Sequence, residues 1–178
     1  MHVVLVAPEI HMNTGNIIRL CANTGTVLHL VEPLGFTMES AALRRAGLDY
    51  HELAEVHVHR SFESALGVLG SHRKFAFSSR AVARYDEVQF ESSDVFVFGA
   101  ERAGLSSEVL DQIPGEHHLR LPMRPKNRSL NLANSVAIVV FEAWRQQGFT
   151  GAAVPGESLP EVGHGLTTEM FGRPPFDT

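Results

Sequence analysis

The chain has a single cysteine, a single tryptophan and no apolar run approaching the roughly 20 residues that a membrane-spanning helix needs. Cys21 alone cannot form an internal disulfide, which fits a reducing compartment, and it excludes a cysteine-based zinc site. A nucleophilic cysteine needs activating surroundings that the sequence does not supply, so buried packing is the expected role. Positive charge is scarce too: 15 Lys and Arg face 20 Asp and Glu, leaving a net charge of −5. That is not the footprint of a nonspecific nucleic-acid binder. Met1 is followed by none of the basic, apolar and small-residue blocks of a secretory signal, so a cytoplasmic protein is expected. No internal repeat is present.

The charge that remains is uneven. Residues 151–178 carry four acids (Glu157, Glu161, Glu169, Asp177) against Arg173, so this tail holds −3 of the total and residues 1–150 only −2. A nearly neutral domain can still bind RNA through a local patch, with an affinity that falls as salt rises. From Phe149 to Thr178 there are five glycines and four prolines without sustained periodicity. One domain over 1–150 and a flexible Gly/Pro-rich tail over 151–178 are therefore expected.

Short β-prone runs alternate with helical patterns along the first 150 residues. Strands are predicted at Val3–Ala7, Val27–Glu32, Glu55–His59, Lys74–Ser78, Asp94–Gly99 and His118–Met123. Helices are predicted at Asn16–Ala22 (behind a turn at Asn13, Thr14 and Gly15, and stopped near Gly25), near Glu39–Ala46, at Phe62–Leu69 behind a Ser61 cap, and at Ser107–Ile113 before Pro114. A further helix carries Ala133, Val136, Ala137, Val140, Phe141 and Trp144 at helical spacing. Residues 79–93 are polar and ambiguous. The alternation specifies an α/β domain with a mostly parallel sheet covered by helices on both faces.

Three polar loops follow strands: NTGNIIR (13–19), GAERAGL (99–105) and PKNRSLNLAN (125–134). In an open α/β sheet such loops gather at the carboxyl ends of the strands, where ligands bind. None is the G-x-G-x-x-G of a dinucleotide fold. Gly99 to Ser106 has phosphate-loop spacing but places Leu105 where the lysine belongs, which argues against a nucleotide triphosphatase. Ten histidines raise the question of a metal, and His57 with His59 alternate onto one strand face while His117 and His118 are adjacent. No recognised ligand spacing appears, so no metal is expected.

Together, APEIHMNTGNIIRLCANTG (7–25), LRRAGLDYHE (43–52), FGAERAGL (98–105) and LPMRPKNRSLNLANSVAIVVFEAWRQ (121–146) resemble the SPOUT methyltransferases, RNA methylases with a trefoil knot. The match is best to their short TrmL-type form, which methylates the ribose 2′-oxygen of the wobble nucleotide, position 34 of tRNA. The resemblance covers about residues 1–150 and implies a C-terminal deep trefoil knot, S-adenosyl-L-methionine as cofactor, the anticodon loop of tRNA as partner and a homodimer, with no membrane. It places the cofactor among Phe77, Gly99, Gly104, Leu121, Met123, Ser129 and Leu130. Arg19, Glu101, Ser129 and Asn131 are implied as catalytic, and Arg19, Arg124, Lys126 and Arg128 as RNA-binding; Asn16 and Asn134 are secondary candidates. Because a guanidinium stays protonated, orientation and charge stabilisation suit Arg19 better than base catalysis. Phe141 stands where the family often has tyrosine, so any polar role there is lost. Two other readings remain at this point, an inactive RNA-binding module of the same fold and a ribosomal RNA 2′-O-methyltransferase.

Overall fold

The structure, a computed structural model, describes residues 1–37 and 54–153. The helix expected near Glu39–Ala46, the 43–52 motif and nearly all of the 151–178 tail lie outside those residues. Seven strands form one sheet: β1 (His2–Val6), β2 (Val27–Val31), β3 (Val56–His59), β4 (Lys74–Phe77), β5 (Ala83–Arg84), β6 (Val95–Phe98) and β7 (His118–Arg120). Their order is β3-β2-β1-β6-β4-β7-β5, and the described pairings are all parallel. Among the described residues, no helix is long and apolar enough to cross a membrane.

Because side chains alternate across a strand, β1 feeds two cores. Val3 and Leu5 pack with α1 (His11–Thr24) and with a C-terminal helix, Leu132–Gln146, on one face. Val4 packs with α2 (Phe62–Leu69) and α3 (Ser107–Leu110) on the other. The C-terminal helix is α4. Cys21 is fully buried on the inner face of α1, and burial pushes its thiol up to about 12.

Several elements differ from the sequence reading. Helix α1 starts five residues before Asn16, because the Ile10 carbonyl accepts from Asn13 and Thr14 N–H and turns the expected NTG turn into a first helical turn. Its end is as read, at Gly25, with φ +63°, a conformation natural to glycine. Helix α3 stops at Leu110, short of Ile113. Pro114 has no N–H to give the Leu110 carbonyl, so the last turn tightens, Gln112 N–H donating to the Val109 carbonyl at 3.2 Å and Ile113 N–H to that of Leu110 at 3.0 Å. His118 Nε2 lies 3.2 Å and 3.0 Å from the Leu110 and Ile113 carbonyls. Strand β7 ends at Arg120, three residues early, and leaves Leu121–Met123 as coil. The ambiguous 79–93 segment holds the two-residue β5 and a short 3₁₀ turn, Tyr85–Glu87.

Helix α4 buries Val136 and Val140 as expected, but Val139 and Ala143 complete the stripe in place of Phe141 and Trp144. Val136, Val139, Val140 and Ala143 face the core, whereas Phe141 is 47% and Ile138 38% exposed. The helix has two apolar stripes, and periodicity alone cannot say which one meets the sheet.

A row of imidazoles crosses β1–β3. His2 Nδ1 lies 3.1 Å from His29 Nε2, and His29 Nδ1 lies 2.9 Å from His59 Nε2. Among the described residues, no group of three or more His, Cys, Asp or Glu side chains is arranged to hold a metal. Burial first, and neighbouring positive charge second, lowers His2 and His29 to about 4; His59 is lowered also. The folded state therefore resists protonation that the unfolded chain accepts near its ordinary value of 6.5. Stability should be full above that value, fall as the pH drops below it, and finish losing this contribution near 4. Thermal melts between pH 7 and 4.5 check this: unfolding near pH 5 should take up about two more protons than at pH 7.5, and His29→Gln should flatten the curve. An equally steep curve in that variant would remove the assignment.

Candidate active site

Four connections open at the carboxyl ends of the strands: after β1, after β4, after β6 and after β7. β1 lies between β2 and β6, so the chain leaves β1 toward one half of the sheet and β6 serves the other. Ligands bind beyond the carboxyl ends of such a sheet, and here a cleft opens beside the reversal, over the ends of β6, β4 and β7. Its floor is the stacked pair Phe77 and Phe98, with ring centroids 4.7 Å apart.

The β6 wall is a tight loop. Gly104 N–H donates to the Ala100 carbonyl at 2.8 Å, and Gly104 adopts φ +71°. A Cβ on Gly99 would lie 2.1 Å from the Gly104 carbonyl carbon. Glycine is required at 99 because the returning chain occupies the side-chain space, and at 104 because of the left-handed backbone.

This loop is tied to the others by one hydrogen-bonded chain. The Glu101 carboxylate accepts from Glu9 N–H at 2.7 Å, Ile10 N–H at 3.2 Å and the Asn13 amide at 2.8 Å. Glu9 reciprocates by accepting from Arg102 N–H at 3.1 Å. Asn13, buried on α1, accepts from the Asn131 amide at 2.9 Å. Asn131 in turn caps α4, its side-chain oxygen accepting from Ala133 N–H at 2.9 Å and Asn134 N–H at 3.3 Å. Asn13 therefore connects the loops after β1, β6 and β7. Taken as a turn residue it is invisible in the sequence; its place six residues before Arg19 in the first motif is the signal that points to it.

A cavity of about 240 Å³ lies within this frame. Phe77, Gly99, Gly104 and Leu121 line it, as do Met123, Ser129 and Leu130. Glu101 lines it as well, with Ser78, Arg80 and Ser135, which the sequence did not single out. A second, more open cavity of about 430 Å³ lies between α1 and α4. Arg19, Asn16 and Asn134 border it with Ala133, Ala137 and Phe141. Asn131 stands at the start of α4, between the two. Arg124, Lys126 and Arg128 are exposed on the β7–α4 loop and line neither cavity. Of the four residues implied as catalytic, Glu101 and Asn131 thus spend their polar atoms on holding loops, while Ser129 and Arg19 face cavities.

An open parallel sheet with a cleft over the carboxyl ends of its strands, beside three polar loops latched together, defines a ligand-binding α/β domain. The chain belongs to the SpoU rRNA Methylase family, whose profile matches residues 1–141. It is 58% identical over 154 residues to a Burkholderia cenocepacia protein named tRNA (cytidine(34)-2′-O)-methyltransferase, covering 85% of this chain and 99% of that one. An Escherichia coli K12 protein of the same name is 46% identical over 154 residues, covering 86% and 98%. A solved structure described as giving insight into the 2-OH methylation of C/U34 on tRNA superposes with a TM-score of 0.78 at 44% identity, covering 83% of this chain and 96% of that one.

Proposed function

We propose that the protein transfers a methyl group from S-adenosyl-L-methionine to the ribose 2′-hydroxyl of nucleotide 34 of tRNA, as a cytoplasmic homodimer. The observation that carries this reading is that the second and third motif loops line one cavity while the first is latched to both of them through the Glu101–Asn13–Asn131 chain. The named relatives, matched over almost their whole length, supply the substrate.

The cavity suits the cofactor chemically. Its floor is aromatic, its walls combine Leu121 and Leu130 with glycine-rich backbone, and Ser129 and Ser135 offer hydroxyls. Residues 122–130 donate no backbone hydrogen bond to the rest of the described chain, so the N–H groups they have, on all but Pro122 and Pro125, are available to a ligand. When bound, S-adenosyl-L-methionine would supply an electrophilic methyl group, its sulfur leaving as a neutral thioether when an oxygen attacks the methyl carbon. Phe77, Leu121, Met123 and Leu130 exclude water from the adenosine, while the Gly99–Gly104 loop presents backbone polar groups to it. Arg19, across the α1–α4 cavity, would orient the ribose and stabilise charge on the hydroxyl oxygen as its proton passes to water. Glu101, Asn13 and Asn131 are positioning residues. Arg124, Lys126 and Arg128 take phosphates.

The exposed stripe of α4, Phe141 with Ala133 and Ala137, is the surface a second copy covers, which would bring a partner helix to Arg19. β7 enters the sheet between β4 and β5, although β4 and β5 are successive in the chain. That insertion supports the threaded C-terminal segment of a trefoil knot.

The test is methylation of tRNA by purified protein with S-adenosyl-L-methionine, mapped by mass spectrometry. Modification at the ribose of nucleotide 34 is expected, and Arg19→Ala should lower kcat/KM by about 100-fold or more. Arg19→Lys with full activity would exclude the arginine's role; no transfer to any tRNA of a total pool would exclude the reaction.

A further inference from the structure

The net charge of −5 hides a local excess of cations at one edge of the sheet. β5 pairs with β7 in parallel, with Arg84 directly beside Arg120. In-register residues of neighbouring strands lie on the same face, so two exposed guanidinium groups stand side by side. Like charges so placed repel. Arg84 is relieved by its own strand end: it holds Asp86 at 2.5 Å and Glu87 at 3.7 Å. Arg120 has no carboxylate partner among the described residues. Its Nε donates to the Val82 carbonyl at 3.2 Å, which sets the guanidinium against the outer strand and leaves its remaining N–H groups to solvent.

This edge is continuous with the site at both ends. Arg80, on the β4–β5 turn, lines the first cavity, and its N–H is fixed by Ser78 Oγ at 3.2 Å. Four residues beyond Arg120 begin the exposed cations Arg124, Lys126 and Arg128. A band of positive groups thus leads from the cleft along β5 and β7.

We infer that the β5–β7 edge, through Arg120 beside Arg84, binds the sugar–phosphate backbone of RNA flanking the target nucleotide. This rests on the proposed tRNA substrate and extends it to a surface outside both cavities. A phosphate is the group that fits. It gives Arg120 the anion that Arg84 already has in Asp86 and Glu87, accepts from a guanidinium in fork geometry, and lies at regular intervals along the chain entering the site. A protein ligand with one carboxylate would satisfy Arg120 but would not use the rest of the band.

The experiment measures tRNA binding by the full-length protein across a salt series, for wild type, Arg120→Gln and Arg120→Lys, with melting temperature and S-adenosyl-L-methionine affinity recorded for each. Arg120→Gln should weaken tRNA binding about 5-fold and flatten the slope of log K against log salt by about 0.7 to 0.9, one phosphate contact. Cofactor affinity and kcat should stay unchanged, and Arg120→Lys should keep the slope. A slope identical in Arg120→Gln and wild type overturns the inference, as does an equal loss of cofactor affinity. If the protein methylates no tRNA but RNA binding keeps its Arg120-dependent slope, the proposed reaction fails and the RNA-binding edge stands.

Discussion

Gly99→Ala is expected to weaken S-adenosyl-L-methionine binding by about 100-fold and to remove most methyl transfer, as titration calorimetry and a single-turnover assay would measure. The added methyl would meet the carbonyl carbon and oxygen of Gly104 at 2.1 and 2.3 Å and the Leu105 nitrogen at 2.3 Å. These are backbone atoms, so no side chain can swing aside, and the loop must open. Overpacking costs about 1–3 kcal/mol and sometimes more, and here the strain falls on the cavity wall. Gly104→Ala is the control. Nothing lies within 4 Å of its Cβ position, so its penalty is only the left-handed backbone, about 1–2 kcal/mol. Wild-type cofactor affinity in a folded Gly99→Ala protein would show that the 99–104 loop does not shape the site.

Glu101→Ala should lower kcat/KM by about 100-fold while the protein stays folded, since hydrogen bonds to a charged acceptor contribute about 1.5–3 kcal/mol each. Three donors lose their acceptor together: Glu9 N–H, Ile10 N–H and the Asn13 amide. Glu101→Gln should restore little, because its amide turns an N–H toward one of those donors. Asn13→Ala should give a smaller loss on its own and add almost nothing to Glu101→Ala, as expected for members of one network. Activity within twofold of wild type in Glu101→Ala would mean that the loops hold their places without the latch.

Where one residue's chemistry determines a local shape, the sequence is readable. Val95–Phe98 is apolar at each position and is buried throughout; Ser61 precedes α2 and accepts from Ser64 N–H; Gly25 closes α1. The glycines at 99 and 104 also stand out, although the close neighbour at Gly99 is the returning chain itself. Features set by distant partners are not readable in this way. The role of Asn13 depends on Glu101, 88 residues away, and on Asn131, 118 away. Helix α4 chooses between two apolar stripes by what the sheet presents. Strand order is the largest case, because no local signal says that β7 enters between β4 and β5. The resemblance to a known family supplied the grouping of residues around the cavity that periodicity could not.

The placement of β7 also orders events in time. β5 is two residues long, and its described ladder is with β7 alone, so residues 83–84 have no strand to join until residues 118–120 arrive. Contacts that close such long loops form slowly. The basic edge and the wall carried by the β7–α4 loop should therefore mature together, after the β1–β2–β6 centre of the sheet, and a nascent chain halted before residue 118 should lack both.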